Sequence, residues 1–225
     1  MIIDAIVPAA GIGSRMGASI PKQYLDLAGI CVLERTIRLL LSMPCVGKVI
    51  VPLKDDDDIF DSLKIASEPR VVRTEGGKER VDSVLSGLRL ASTEWVLVHD
   101  AARPCVDPSD IQKLIDEAVP CGGGILVMKT RDTMKRVGAD GVIEETVDRS
   151  CLYHALTPQL FKTEELAKAI ECALKTGIAV TDESSAMEAA GFRPLPVEGR
   201  PDNIKITRPG DLELAAFILS KRGEL

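Results

Sequence analysis

No apolar run in this chain reaches the roughly 20 residues that a helix needs to cross a bilayer. No basic leader precedes an apolar stretch either, because Met1 runs directly into the strand-like Ile2-Ile3-Asp4-Ala5-Ile6-Val7. Both absences predict a cytoplasmic protein. Zinc is poorly provided for: the six cysteines, at 31, 45, 105, 121, 151 and 172, form no C-x-x-C pair, and the chain has only two histidines. They read as small, reduced core residues. Positive charge is in deficit as well. Twenty-eight Lys and Arg face 34 Asp and Glu, for a formal net charge of −6, which argues against a nucleic-acid-coating surface. Repeats, low-complexity stretches and linkers are missing, so the whole chain, 1–225, reads as one domain with a substantial core.

Within it, short apolar runs alternate with amphipathic segments. The runs are residues 2–9, Lys48-Val49-Ile50-Val51, Arg70-Val71-Val72-Arg73, Trp95-Val96-Leu97-Val98 and Gly124-Ile125-Leu126-Val127-Met128. Between them, Val81, Val84, Leu85 and Leu88 share one helical face, and Ile111, Leu114, Ile115 and Ala118 another. Asp107 and Pro108 supply an N-cap and a first helical residue for the second of these. Buried strands joined by helices predict an α/β fold with a parallel sheet covered on both sides. The alternation breaks at about 130–152, where two polar segments flank Gly138-Ala139-Asp140-Gly141 and read as a β-hairpin. A two-stranded ribbon is marginal alone, so it is expected to pack on something else, most economically a partner subunit. Further on, Thr163 is expected to cap a helix bearing Leu166, Ile170, Ala173 and Leu174. Ser185 to Glu188 fits a capping box. Pro209 opens a last helix whose buried face is Leu212, Ala215, Ala216 and Leu219. Asp55 to Asp58 reads as a solvated helix start.

The first run leads into Pro8-Ala-Ala-Gly-Ile-Gly-Ser-Arg-Met-Gly17, followed by Lys22. Gly11, Gly13 and Gly17 let main-chain N–H groups approach a ligand closely, and N–H groups aimed into one concavity attract an anion. Arg15 can grip phosphate with two prongs, and Lys22 supplies a point charge. The loop therefore looks built for a polyphosphate. It is not G-x-x-x-x-G-K-[ST], since the fifth residue after Gly11 is Met16, and Met16 also breaks G-x-G-x-x-G.

Val98-His99-Asp100-Ala101-Ala102-Arg103-Pro104 puts an aspartate and an arginine beyond the end of a strand, where open α/β sheets bind ligands. Asp100 is a candidate magnesium ligand, because such sites use one or two carboxylates and leave the rest of the shell to phosphates and water. Arg103 is placed to anchor a second phosphorylated group. His99 is expected to face away from Asp100 and to be structural. Around Pro201 to Thr207, a short strand would put Asn203 and Lys205 on one face and Asp202 on the other. Lys205 could complete a cationic ring with Arg15 and Lys22, and Asp202 is a second, weaker candidate for the metal.

These segments occur in order with Pro21-Lys22-Gln23-Tyr24, Gly76-Gly77 to Asp82-Ser83-Val84, Arg131-Asp-Thr-Met-Lys-Arg136 and Thr146-Val-Asp-Arg149. Leu156-Thr-Pro-Gln159, Thr181-Asp-Glu-Ser-Ser185 and Asp202-Asn-Ile-Lys-Ile-Thr-Arg-Pro209 complete the series. Together they resemble the 2-C-methyl-D-erythritol 4-phosphate cytidylyltransferase family over essentially the whole chain. The resemblance implies a Rossmann-like, three-layer nucleotidyltransferase fold and CTP and a sugar-alcohol phosphate as substrates. It also implies a divalent cation, Mg²⁺ or another, and a homodimer made through the β-arm, without nucleic acid or membrane. It assigns Arg15, Lys22 and Lys205 to the triphosphate and the transferring phosphate. Ala9, Ala10, Gly11, Gly77, Lys78 and Ser83 would frame cytosine and ribose. Asp100, Arg103, Thr133, Arg149 and Thr157 would form the sugar-phosphate site. Lys78 stands where related sequences often carry Asp. The rival readings are cytidylyl transfer to D-ribitol 5-phosphate, a non-catalytic nucleotide sensor, and an NAD(P)-linked dehydrogenase, the last weakened by the broken dinucleotide fingerprint.

Overall fold

The computed structural model describes residues 1–11 and 20–225. Gly13, Arg15 and Gly17 of the glycine-rich loop therefore lie outside the described residues. Seven strands form the central sheet: β1 (Ile3–Ile6), β4 (Val46–Leu53), β5 (Val71–Glu75), β6 (Trp95–Val98), β7 (Gly124–Lys129), β10 (Tyr153–Lys162) and β11 (Leu195–Glu198), in the order β11-β7-β10-β6-β1-β4-β5. β10 runs antiparallel to β6 and β7, and every other pairing is parallel. The five apolar runs read from the sequence are all strands of this sheet. β10 and β11 were not anticipated, because Thr157-Pro158 interrupts one and Pro196 the other. Nor was the small hairpin of β2 (Asp26–Leu27) and β3 (Ile30–Cys31), nor helix α1 (Val32–Ser42).

Helices cover both faces. On one, α1 and α3 (Pro108–Ala118) bury Leu33, Ile37, Leu40, Ile111 and Leu114 against Ile3, Ala5, Val49 and Val51. On the other, α2 (Arg80–Leu88) and α4 (Thr163–Lys175) bury Val84, Leu85, Leu166 and Ile170 against Ile6, Ile50, Val96 and Val98. This inward alternation along β1 and β6 is what a sheet covered on both sides requires. A third cluster joins Leu27, Val32, Ala102, Cys105 and Ile206 to Ala215 and Leu219 of α6 (Pro209–Lys221). It clamps the Ile206 segment against the turn after β6, and Ile206 N–H donates to the Ala102 carbonyl at 2.8 Å.

Local expectations meet mixed outcomes. Asp107 caps α3 by accepting from Ser109 N–H, with Pro108 behind it. Thr163 is the first residue of α4 and not its cap, and its hydroxyl donates to Thr93 O at 2.7 Å. The capping box near residue 185 begins three residues earlier: Asp182 accepts from Ser185 N–H, and α5 spans Glu183–Ala189. Asp57 of the acidic run accepts from Ile59 and Phe60 N–H and opens only a 3-10 turn, Phe60–Ser62. Residues 201–207 form no ladder and are not a strand. Among the cysteines only Cys105 is buried, while Cys31 and Cys45 are half-buried and Cys121, Cys151 and Cys172 are exposed. The core reading thus fails for three of them.

The 130–152 segment is the expected hairpin, β8 (Met134–Val137) against β9 (Ile143–Val147), with Gly141 at φ 81° in its turn. It forms a separate two-stranded sheet, exposed along nearly its whole length.

Candidate active site

The loops after β1, β5 and β6 meet at one edge of the sheet. Because β10 runs antiparallel, with Gln159 opposite Val98, Ala155 to Thr157 reach the same edge. Two adjoining hollows result. The first is lined by Ala9, Ala10, Gly11, Lys22, Gly77, Lys78 and Ser83, with Asp100 and Lys205 at its side. The second is lined by Arg103, Ala155, Leu156, Thr157, Gln159, Thr181 and Asp182. Arg80, Asp100 and Lys205 line both, so they form the wall between them.

The first hollow depends on close backbone approach. Gly76 N–H donates to Leu53 O at 2.6 Å and Gly77 N–H to Ser83 Oγ at 3.0 Å. A Cβ on Gly76 would lie 2.6 Å from Ala10 Cβ, and one on Gly77 would lie 2.0 Å from Asp82 Cβ. The Gly-Gly pair is therefore required by packing, with no left-handed backbone involved. Gln23 hooks the opposite wall, its amide donating to Ala9 O at 2.7 Å. Lys22 Nζ donates to Ile206 O at 3.0 Å, which ties this lysine to the segment that carries Lys205.

Asp100 is the electrostatic centre. Lys205 Nζ lies 2.8 Å from Oδ2, Arg80 Nε 3.0 Å from Oδ1 and Arg103 Nε 3.5 Å from Oδ2. Burial opposes ionisation of this carboxyl, but the three cations outweigh it and hold it well below the usual carboxylate range. Sequence reasoning missed Arg80 and its anchor. Arg80 makes a two-pronged pair with Glu183, at 2.7 and 3.1 Å, and Glu183 is only 1% exposed at the start of α5. Burial alone would lower the arginine pKa, yet the two carboxylates raise it. The available signal was Arg80's place inside the Gly76-to-Ser83 stretch. Gln159 links the same helix to β10, accepting from Ser184 N–H and donating to Asp182.

Arg103 is 8% exposed, and its Nη1 donates to Asn203 O at 2.7 Å. Its Nε faces Asp100 Oδ2 at 3.5 Å, a distance of ion pairing and not of a close hydrogen bond. Asn203 in turn donates to Thr157 O at 2.8 Å. His99 is fully buried, as its structural reading requires, and burial pushes its pKa down to about 4.

Three sequence-derived candidates stand apart from the hollows. Thr133 and Arg149 are exposed on the arm, where the Arg149 guanidinium donates to the Arg131 carbonyl. Asp202 is engaged by Arg200 at 3.0 Å and by Arg222 at 2.8 Å, and lines neither hollow. No group of three or more His, Cys, Asp or Glu able to hold a metal is gathered among the described residues. Asp100 is the one carboxylate at the wall between the hollows, and both of its oxygens are met by Lys205, Arg80 and Arg103. A lone carboxylate beside phosphates is the kind of donor set that magnesium, unlike a metal needing a full protein cage, can use.

The model of the 2-C-methyl-D-erythritol 4-phosphate cytidylyltransferase family matches residues 3–221. A protein of that name from Aeromonas hydrophila is 56% identical over 220 residues, covering 98% of this chain and 90% of its own. Another, from Aliivibrio fischeri strain MJ11, is 56% identical over 224 residues, covering 97% and 94%. The crystal structure of the Francisella tularensis 2-C-methyl-D-erythritol 4-phosphate cytidylyltransferase superposes with a TM-score of 0.85 at 34% identity, covering 97% of this chain and all of that one. With its two hollows, its shared cationic wall and its glycine-framed first pocket, the chain belongs to the 2-C-methyl-D-erythritol 4-phosphate cytidylyltransferase family.

Proposed function

We propose that the first hollow takes the nucleotide, the second takes the acceptor, and the wall of Arg80, Asp100 and Lys205 aligns them. The enzyme is a nucleotidyltransferase: it transfers the cytidylyl group of CTP to 2-C-methyl-D-erythritol 4-phosphate and releases pyrophosphate. A phosphate oxygen of the acceptor forms a bond to the α-phosphorus as the bond to the bridging oxygen of pyrophosphate breaks on the opposite side. The nucleophile is already an anion, so no general base is needed, and positioning with charge neutralisation carries the rate.

Lys22 and Lys205 meet the charge that grows on the α-phosphate and on pyrophosphate. Arg15, outside the described residues, is assigned to the same charge by the family resemblance. Ala9, Ala10, Gly11, Gly77, Lys78 and Ser83 frame base and ribose, and Lys78 contributes there through its backbone. Arg103 anchors the acceptor phosphate, a role supported by its place in the lining of the second hollow beside Asp100. Asp100 would hold Mg²⁺, whose charge would offset that of the phosphates.

Thr133 and Arg149 serve the acceptor from the arm of a second subunit. The exposed ribbon, with Met134, Val137, Val142 and Ile143 facing solvent, supports a homodimer joined through that arm. A cytoplasmic location is part of this reading and is supported by the six free cysteines. No helix among the described residues is long and apolar enough to cross a membrane.

The observation that carries this reading is the single carboxylate, Asp100, held by three cations where the two hollows meet. Pyrophosphate release tests it, with CTP, Mg²⁺ and either 2-C-methyl-D-erythritol 4-phosphate or D-ribitol 5-phosphate, and with ATP, GTP and UTP as controls. Release with CTP and the methylerythritol compound alone is expected. Equal release with ribitol phosphate would remove the acceptor assignment.

A further inference from the structure

His99 takes no part in the transfer, yet it sits entirely buried between the two residues that frame the acceptor hollow. Its Nε2 lies 3.0 Å from Arg103 O, and its Nδ1 lies 3.0 Å from Thr157 Oγ1. A carbonyl oxygen only accepts, so Nε2 carries a hydrogen. Both ring nitrogens face neutral groups in a dry interior, which favours the uncharged imidazole. Nδ1 is then bare and accepts, and the Thr157 hydroxyl must donate to it. The same hydroxyl oxygen accepts the Asp100 N–H at 3.0 Å. A threonine hydroxyl has one hydrogen and two lone pairs. The hydrogen and one lone pair are occupied, leaving one lone pair for a ligand.

We propose that His99 is a positioning residue for the acceptor hollow: by taking the Thr157 hydroxyl proton, it leaves Thr157 able to receive a hydrogen bond from a ligand hydroxyl and unable to give one to a phosphate. This rests on assigning the second hollow to the acceptor. It divides the labour there. The acceptor's phosphate is read by Arg103, whereas Thr157 reads a hydroxyl of the polyol.

The bonds close into a circuit: His99 to Arg103 O, Arg103 to Asn203 O, Asn203 to Thr157 O, and Thr157 back to His99. All four residues are at most 8% exposed. Three chain segments that only tertiary structure brings together are thereby fixed, with the Asp100 amide tied in through Thr157. Reversing the Thr157 rotor would strand either the imidazole nitrogen or the Asp100 N–H, each a buried polar group with a real cost.

The chain has two histidines, and His154 is exposed. In a His154→Gln background, ¹⁵N NMR of the remaining imidazole reads the tautomer directly in the ligand-free enzyme. The expected result is a protonated Nε2 and a bare, pyridine-like Nδ1, with the Nδ1 signal moved by Thr157→Val and restored by Thr157→Ser. A protonated Nδ1 would overturn the proposal whatever the enzyme's substrates prove to be.

The kinetic arm is a double-mutant cycle of His99→Gln and Thr157→Val on folded enzyme. Each single change is expected to lower kcat/KM for the acceptor by about tenfold, with the KM for CTP nearly constant. The double variant should be little worse than the poorer single, because the two act as one unit. Multiplying losses, or losses in thermal stability alone, would overturn the positioning role. If His99→Gln does not fold, the imidazole ¹⁵N measurement in the Thr157→Val and Thr157→Ser variants carries the test.

Discussion

The acceptor hollow and the β-arm are held in opposite ways. Around the hollow, Arg103, Thr157, His99 and Asn203 are buried and bonded to one another, and Asp100 meets three cations from separate segments. On the arm, β8 and β9 bond to each other, and nearly every side chain faces water. The family resemblance nonetheless assigns residues of both to one acceptor site. One region is complete within the chain, while the other makes sense only against a second surface. A site divided in this way would need rigid geometry where charge must be aligned and would leave its remaining contacts to association.

The sharpest way to break the comparison is to damage the rigid side. Lys22→Ala should lower kcat by about 10²-fold or more, the scale of losing one donor to developing negative charge. Steady-state turnover at saturating CTP checks it, and an unchanged kcat would remove Lys22 from the transfer step. The arm should respond differently. Arg149→Ala is expected to raise the acceptor KM by about tenfold, with the KM for CTP unaltered. Mixing Lys22→Ala and Arg149→Ala chains, assayed at acceptor concentrations well below KM where each alone is impaired, then asks whose hollow the arm serves. If it serves the partner, hybrid dimers regain one intact site, and random exchange returns about a quarter of wild-type sites. No recovery after verified subunit exchange would place the arm over its own chain.

How much of this was visible in the sequence follows the same division. Local patterns located the five apolar strands, the α3 cap and the arm, because alternation, Pro at a helix start and a glycine-bearing turn act over a few residues. They missed β10, where Thr157-Pro158 interrupts the pattern and antiparallel pairing with β6 holds the strand. They also gave residues 201–207 a strand, although that segment is fixed by Ile206 packing under α6 and by Asn203 bonding to Thr157. At the site, motif order brought Lys22, Asp100 and Lys205 forward. Arg80 stayed unseen because its meaning lies in Glu183, more than a hundred positions away. The same holds for His99, whose partners include Thr157.

That long-range pair offers a finer test of the rigid side. Glu183 touches neither hollow directly, but its two-pronged bond to Arg80 steadies Asp100. Glu183→Gln keeps the shape, removes the charge and leaves Arg80 with less to hold it. We expect kcat/KM for the acceptor to fall by about tenfold, the size of one charged hydrogen bond, alongside a lower melting temperature. Loss of stability with kinetics unchanged in the folded fraction would make the pair purely architectural.

The smallest effect is expected at Asp202, and it separates two views of the metal. Its carboxylate is already taken by Arg200 and Arg222, and it is a quarter exposed. The pair with Arg200 is exposed and contributes little, whereas Arg222 is only 12% exposed, so Asp202→Asn should lower the melting temperature yet leave kcat and the Mg²⁺ concentration for half-maximal activity within about twofold. Asp100→Asn, by contrast, should move the Mg²⁺ requirement strongly, because it removes the one carboxylate at the wall between the hollows. A shifted Mg²⁺ requirement in Asp202→Asn would mean that the Arg200 and Arg222 pairs open when substrates arrive. The rigid half of the site would then share the arm's dependence on a second event.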